Sequence, residues 1–286
     1  MASMRDIKRR KVSIQSTQQI TNAMKLVATV KLQKARIHAE EAGPYFSYMY
    51  RTVTSLLARS GSIDHPYLQP GTSNKKAVIV ITSNKGLAGG YNSNITKLLT
   101  NGDIPIEDVE VYAIGRKGKE SLARKGYHIQ ADYSDVIDNP TYANAQSICA
   151  EVLEKFTDGE IGEIYLAYTH FKNTVSHVPT LMKLLPVEFG EEEETESTKS
   201  DALMNYEPSE EEALALIIPK YVASLFYGAF VEAVASENAA RMQAMDSATS
   251  NAEDMISDLT LKYNRARQSS ITQELTEIIA GAEAIS

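Results

Sequence analysis

Each end of this chain carries a helix-forming segment longer than any local core could bury. From Ser209 to Ala284 only Pro219, Gly228 and Gly281 interrupt residues that favour helix. Inside that stretch Met245, Ala248, Ala252, Met255, Leu259, Tyr263 and Ala266 recur at steps of three and four, the spacing of a coiled-coil seam. At ~1.5 Å of rise per residue such a helix reaches on the order of 100 Å. The first segment runs from about Met4 to Arg59. It shows the same spacing through Ile14, Thr21, Met24, Ala28, Lys31, Ala35, His38, Ala42, Tyr45 and Met49. Gly43-Pro44 would ordinarily stop a helix, yet the period continues to Val53, so a bend or restart is expected there. Two seams of similar pattern at opposite ends predict that residues 1–59 and 209–286 pair side by side as an antiparallel two-stranded coiled coil. Pro219 predicts a kink or a delayed start early in the second helix.

Residues 75–189 read differently. Ala77-Val78-Ile79-Val80-Ile81 is a continuous apolar, β-branched run, the pattern of a parallel strand buried on both faces. Val109–Ile114 and Ile164–Tyr168 are further strands, and Val178–Leu185 is a strand or extended pairing segment closed by Pro186. Helical stretches up to Leu99, near Lys119–Arg124 and over Tyr142–Phe156 alternate with them. That order predicts an open, Rossmann-like α/β domain between the two terminal helices. Gly61 to Asn74 and the acidic, turn-rich Gly190 to Pro208 are the connections.

Charge is distributed unevenly. The net charge of −8 conceals a basic first helix, with nine lysines and arginines against Asp6 alone up to Arg36. It also conceals an acidic run from Glu188 to Glu212 opposed only by Lys199. Such asymmetry reports partners or steering rather than fold. The basic arm lacks the interleaved aromatics of a single-strand nucleic-acid platform, so it is read as a face meeting solvent or acidic protein. Cys149 is the single cysteine, which excludes an intrachain disulfide and a cysteine metal cluster and fits a reducing, cytosolic setting. No apolar run approaches the ~20 residues that span a bilayer, and the basic start of the chain has no apolar signal core.

Sites for chemistry are weak. Gly86-Leu87-Ala88-Gly89-Gly90 follows a strand, but it is neither G-x-G-x-x-G nor a Walker loop. A tight turn using glycine's freedom is the simpler reading. The residues from Gly115 to Ser121 likewise miss phosphate-loop spacing. His38, His65, His128, His170 and His177 are scattered, and no metal set, catalytic triad or calcium loop can be assembled. The expectation is therefore no catalytic residue, no cofactor and no metal. The competing reading is a nucleotide-binding α/β enzyme with a helical arm, which would bind nucleotide as an isolated chain.

Five stretches, in order along the chain, carry a resemblance. They are Ile20-Thr21-Asn22-Ala23-Met24-Lys25-Leu26-Val27-Ala28, Asn84 to Asn92, Ser236 to Met242, Tyr263 to Gln268, and Ile271-Thr272-Gln273-Glu274-Leu275 through Gly281-Ala282-Glu283-Ala284. The chain resembles the gamma subunit of F-type ATP synthases of bacterial type. The resemblance implies a central-stalk rotor without catalysis of its own. Its coiled coil would stand inside a ring of alternating alpha and beta subunits. Its α/β domain would lie at the foot, beside the epsilon subunit and the proton-driven c ring, peripheral to the cytoplasmic face of the cell membrane. It also implies ring contacts at Met24, Lys25, Arg267, Gln268, Thr272 and Glu274, and contacts with epsilon and the c ring at Tyr206 and Glu207. The redox-switched members carry an inserted cysteine pair. This chain has only Cys149, so no such switch is expected.

Overall fold

The structure is a computed structural model and describes residues 4–59, 65–187 and 210–283. Helix α1 spans Met4–Arg59 and runs through Pro44. Helix α5 spans Glu210–Glu283 and runs through Pro219. Between them lie β1 (Lys76–Ile81), α2 (Tyr91–Thr100), β2 (Val109–Ile114), α3 (Arg116–Arg124), β3 (His128–Asp132), α4 (Tyr142–Thr157), β4 (Glu163–Phe171) and β5 (His177–Leu185). Contacts divide the chain into two compact units: Met1–Thr29 with Arg241–Ser286, and Val30–Ala240.

The larger unit is built on one five-stranded sheet of order β3-β2-β1-β4-β5. Strands β1 to β4 are parallel, and β5 returns antiparallel on β4 as the edge. Two elements depart from the sequence reading. Strand β3 was not expected, because His128-Ile129-Gln130-Ala131-Asp132 is an outer strand with only alternate residues half-buried. Strand β5 does not extend the parallel run. Only a short turn separates it from β4, too short for the crossover that parallel pairing needs.

Alternation along β1 explains the layers. Ala77, Ile79 and Ile81 face one side with Tyr112, Ile114 and Leu166, and α4 and the first half of α5 cover them. Val78 and Val80 face the other side with Val111 and Ala113, under Tyr91, Ile95 and Leu99 of α2 and Leu122 of α3. The covering part of α5 is more apolar than a seam requires. Leu214, Ile218, Val222, Phe226, Phe230 and Ala233 are all buried. One stretch of this helix is apolar enough to meet a membrane-span criterion by length and composition, contrary to the reading of the bare sequence, and 56% of it is buried in the protein. Its apolarity is used by the sheet.

The smaller unit is the helix pair. Inter-helix hydrogen bonds join Gln18 to Glu253 (3.0 Å), Thr21 to Thr249 (2.7 Å) and Lys25 to Asp246 (2.6 Å). As α1 advances by three and then four residues, α5 recedes by four and then three, so the pairing is antiparallel. The less exposed positions of α1 here include Met4, Ile7, Lys11, Ile14, Gln18, Thr21, Lys25 and Ala28, an unbroken heptad, with Met24 and Thr29 half-buried beside them. On α5 they are Met245, Thr249, Ala252, Ile256, Leu259, Tyr263 and Ala266. Three seam assignments are thereby corrected. Met255 is 44% exposed and Ile256 takes its place. Further along α1, Lys31 and His38 point outward, while Leu32 and Ala39 hold the sheltered positions. In each case the true position lies one residue later.

Candidate functional site

Three surfaces could carry function: the strand-to-helix loops, the helix pair, and the bare end of α5. The loops are decided by their hydrogen bonds. In a sheet of this order the topological switch point lies between β1 and β4, and ligands of such sheets bind just beyond the strands' carboxyl ends. Here the Ser236 hydroxyl of α5 donates to the Thr169 carbonyl on β4 (3.1 Å), and the Tyr91 hydroxyl donates to the Ala233 carbonyl of α5 (3.1 Å). Helix α5 therefore lies across the place where a nucleotide would sit.

The amides a phosphate would use are also taken. At the start of α3, Arg116 N donates to Asn84 Oδ1 (3.0 Å), Lys117 N to the Ser83 carbonyl (3.0 Å), and Gly118 N to Thr82 Oγ1 (2.9 Å). At the start of α2, Asn92 turns back and its Oδ1 accepts from Ser83 N (2.9 Å). A helix N-terminus binds anions through its free N–H groups, and the first three of α3 are satisfied by the β1 loop itself. The motif Asn84 to Asn92 thus works as a clasp between two helix starts. Leu87 and Gly89 adopt positive φ (65° and 56°), as the tight turn demands. These contacts weigh against the nucleotide-binding enzyme. Among the described residues no group of His, Cys, Asp and Glu is placed to hold a metal.

The six expected ring-contact residues separate into two places. Met24 and Lys25 are half-buried at the level of Asp246. Arg267, Gln268, Thr272 and Glu274 lie at least 21 residues further along α5, roughly 30 Å at helical rise. All four are exposed. The Thr272 hydroxyl donates to the Gln268 carbonyl (2.9 Å), and Glu274 accepts from the Ser270 hydroxyl (3.4 Å), both within the helix. Tyr206, Glu207 and the acidic stretch Glu191 to Glu196 lie outside the described residues.

Sequence reasoning did not single out Asp246, the partner of Lys25, or the Thr21–Thr249 pair. Their signal was present: each is a small or polar residue at or beside a seam position, the kind that fixes register in a coiled coil. The seam stops short where α1 begins, as the greater length of the second helix leads one to expect. Past Ser270 every described side chain of α5 through Ala282 is exposed. Ile271, Leu275, Ile278 and Ile279 form an open apolar stripe there, with Ile278 at 67%. Exposed apolar side chains also run along the pair itself at Val12, Ile20, Leu26, Val27 and Leu261, and apolar surface of this extent marks contact with other chains.

The chain is thus a helix pair joined in sequence to an α/β unit whose ligand crevice is filled by its own helix. The chain matches the ATP synthase family model over residues 3–285. It is similar to the ATP synthase gamma chain of Lachnoclostridium phytofermentans, with 69% identity and all of both chains covered. It is also similar to the sodium-ion-specific ATP synthase gamma chain of Acetobacterium woodii, with 42% identity and 99% of each covered. Among solved structures, a chain of the mitochondrial ATP synthase of Euglena gracilis, in a structure of OSCP, F1 and c-ring, superposes with a TM-score of 0.71. That match has 18% identity and covers 99% of this chain and 94% of that one. The chain belongs to the ATP synthase gamma-chain family, whose members are central-stalk subunits.

Proposed function

We propose that this chain is the non-catalytic rotor that passes torque between a proton-driven c ring and an alpha–beta catalytic hexamer. Residues 1–59 and 209–286 form the stalk and residues 75–189 the foot, beside an epsilon subunit and the c ring. The complex sits at the cytoplasmic face of the cell membrane, and this chain meets the membrane only through it. The observation that carries the reading is the antiparallel lock of Gln18, Thr21 and Lys25 onto Glu253, Thr249 and Asp246. Coupled helices resist twist better than a lone helix, and the Lys25–Asp246 ion pair and the Thr21–Thr249 hydrogen bond tie the two together here. The bare end around Ile271 to Ile279 is the part the hexamer would enclose. Affinity purification of the tagged chain from its own cells tests this. One copy per three alpha and three beta subunits is expected; recovery of the chain free of both would sink the proposal.

Ring contact at Lys25 has its own test, because the structure gives that ammonium an internal partner. The Lys25–Asp246 pair is partly exposed, and such pairs contribute under about 1 kcal/mol. Exchanging the charges, with Lys25→Asp and Asp246→Lys together, keeps the pair and reverses the face offered to the ring. In the reconstituted complex the exchange is expected to cut ATP-driven rotation several-fold, about as much as Lys25→Glu alone. Full recovery of rotation by the exchange would assign Lys25 to the seam instead. The same logic extends to Arg9, exposed on the basic arm, where charge reversal should slow rotation if the arm faces acidic loops of beta.

A further inference from the structure

Within the larger unit, α1, α5 and the loop that leads into α4 enclose a cavity of about 550 Å³. Pockets that hold small organic ligands run from about 300 to 1,000 Å³. Three features of its wall bear on what could fill it, and none is used by the stalk function.

The first is an unmet acceptor. Asn238 lines the cavity and is 4% exposed. Its Nδ2 donates to the Val234 carbonyl (2.8 Å), which fixes the amide orientation. Its Oδ1 has no partner. Buried acceptors without a donor are rare and costly, but this one has under 1 Å² of accessible surface and lies behind the wall, which leaves the aromatic wall and the rim to select an occupant. The second is an aromatic wall. The rings of Tyr142 and Tyr227 meet edge to face at 5.9 Å and 86°, and Val231 lies buried beside them. A planar ring entering here would extend the edge-to-face stack. The third is the rim. Lys31 and Lys34 stand three residues apart on α1, and so side by side on its surface. Neither pairs with a carboxylate among the described residues. Asp138 and Glu237 occupy the opposite side, so an anionic group is favoured only at the α1 edge.

We propose that this cavity is a binding site for a small aromatic anion. Its ring lies against Tyr142 and Tyr227, and its charge sits between Lys31 and Lys34. An occupant would touch α1, α5 and the loop before α4 at once, and so would brace the foot against both helices. The inference does not depend on the rotor reading, since every group in it belongs to this chain.

The chain contains no tryptophan, which makes the test clean. Tyr227→Trp, or Tyr142→Trp as a second reporter, introduces a single indole at the cavity wall. The probe is 1-anilinonaphthalene-8-sulfonate, titrated into the full chain while energy transfer from that indole is followed. Saturation at one equivalent per chain is expected. Lys31→Glu with Lys34→Glu should weaken binding at least tenfold. Ala35→Phe, which projects a ring into the cavity, should abolish transfer. Circular dichroism on each variant separates misfolding from lost affinity. The charge reversals lie on the exposed rim, so they test the site even if Ala35→Phe does not fold. Absence of transfer overturns the proposal. So does affinity unchanged by the lysine reversals, which would assign the probe to exposed apolar surface such as the Ile271 to Ile279 stripe.

Discussion

Replacing Gly115 by alanine is expected to destabilise the α/β unit by about 3–5 kcal/mol, a large share of the roughly 5–15 kcal/mol of an ordinary domain. Gly115 joins β2 to α3 with φ of 102°, a conformation that side chains resist. A Cβ placed there would lie 2.1 Å from the Thr82 carbonyl oxygen and 2.8 Å from Thr82 Oγ1. Backbone cannot swing aside as the tip of a lysine can. Thr82 is also committed elsewhere: its Oγ1 accepts from Gly118 N, and its N–H donates to the Ile114 carbonyl at 2.7 Å. Pushing it away would undo the cap of α3 and the end of the β1–β2 ladder together. Gly86→Ala is the control. It lies in the neighbouring glycine-rich loop, has open space where its Cβ would go, and should change stability by no more than about 0.5 kcal/mol. Urea unfolding followed by far-ultraviolet circular dichroism compares the two. Equal midpoints would show that the close approach at Gly115 relaxes at little cost.

That contrast marks where the sequence stops being legible. Gly86 and Gly115 look alike in sequence, each following a strand and preceding a helix. What separates them is the approach of Thr82, a residue 33 positions before Gly115. Strand β1 was legible because a strand buried on both faces must be apolar throughout. β3 was not, because His128, Gln130 and Asp132 leave only a faint alternation. The direction of β5 is a property of its pairing with β4 and leaves no mark on Val178–Leu185. In the helices the heptad was legible, and its phase too at most positions, but three residues were placed one position early. Lys31, His38 and Met255 each sit beside a residue of similar or greater fitness for the seam. A seam built on alanine, threonine and lysine gives apolar counting little to distinguish neighbours. The clasp of Asn84 and Asn92 was visible only as a family likeness, since a hydrogen bond from one loop to another helix's first amide has no local signature. The place of the ring-contact residues was hidden for the same reason. Met24 and Thr272 look like one surface until antiparallel pairing puts them far apart.

The same helix answers two environments, and a single phenylalanine tests how separable they are. The aligned rings of Phe226 and Phe230 on α5 stack at 5.8 Å and 10°, both fully buried in the larger unit. Phe230→Ala removes a whole ring from a close-packed core and is expected to cost about 3–5 kcal/mol, with Phe230→Leu costing about 1.5 kcal/mol or less. The antiparallel lock at Thr21, Thr249, Lys25 and Asp246 belongs to the smaller unit, and this core to the larger. Amide hydrogen exchange should therefore show protection falling through residues 214–239 of α5 while residues 245–263 keep theirs. Local opening of this kind is ordinary in proteins whose parts have separate cores. A rotor whose foot has loosened should still enter the hexamer and still support hydrolysis, yet deliver less torque to whatever the foot drives. Hydrolysis falling in step with protection along the entire helix would mean instead that α5 melts as one body, and that Phe230 supports the seam as directly as it supports the sheet.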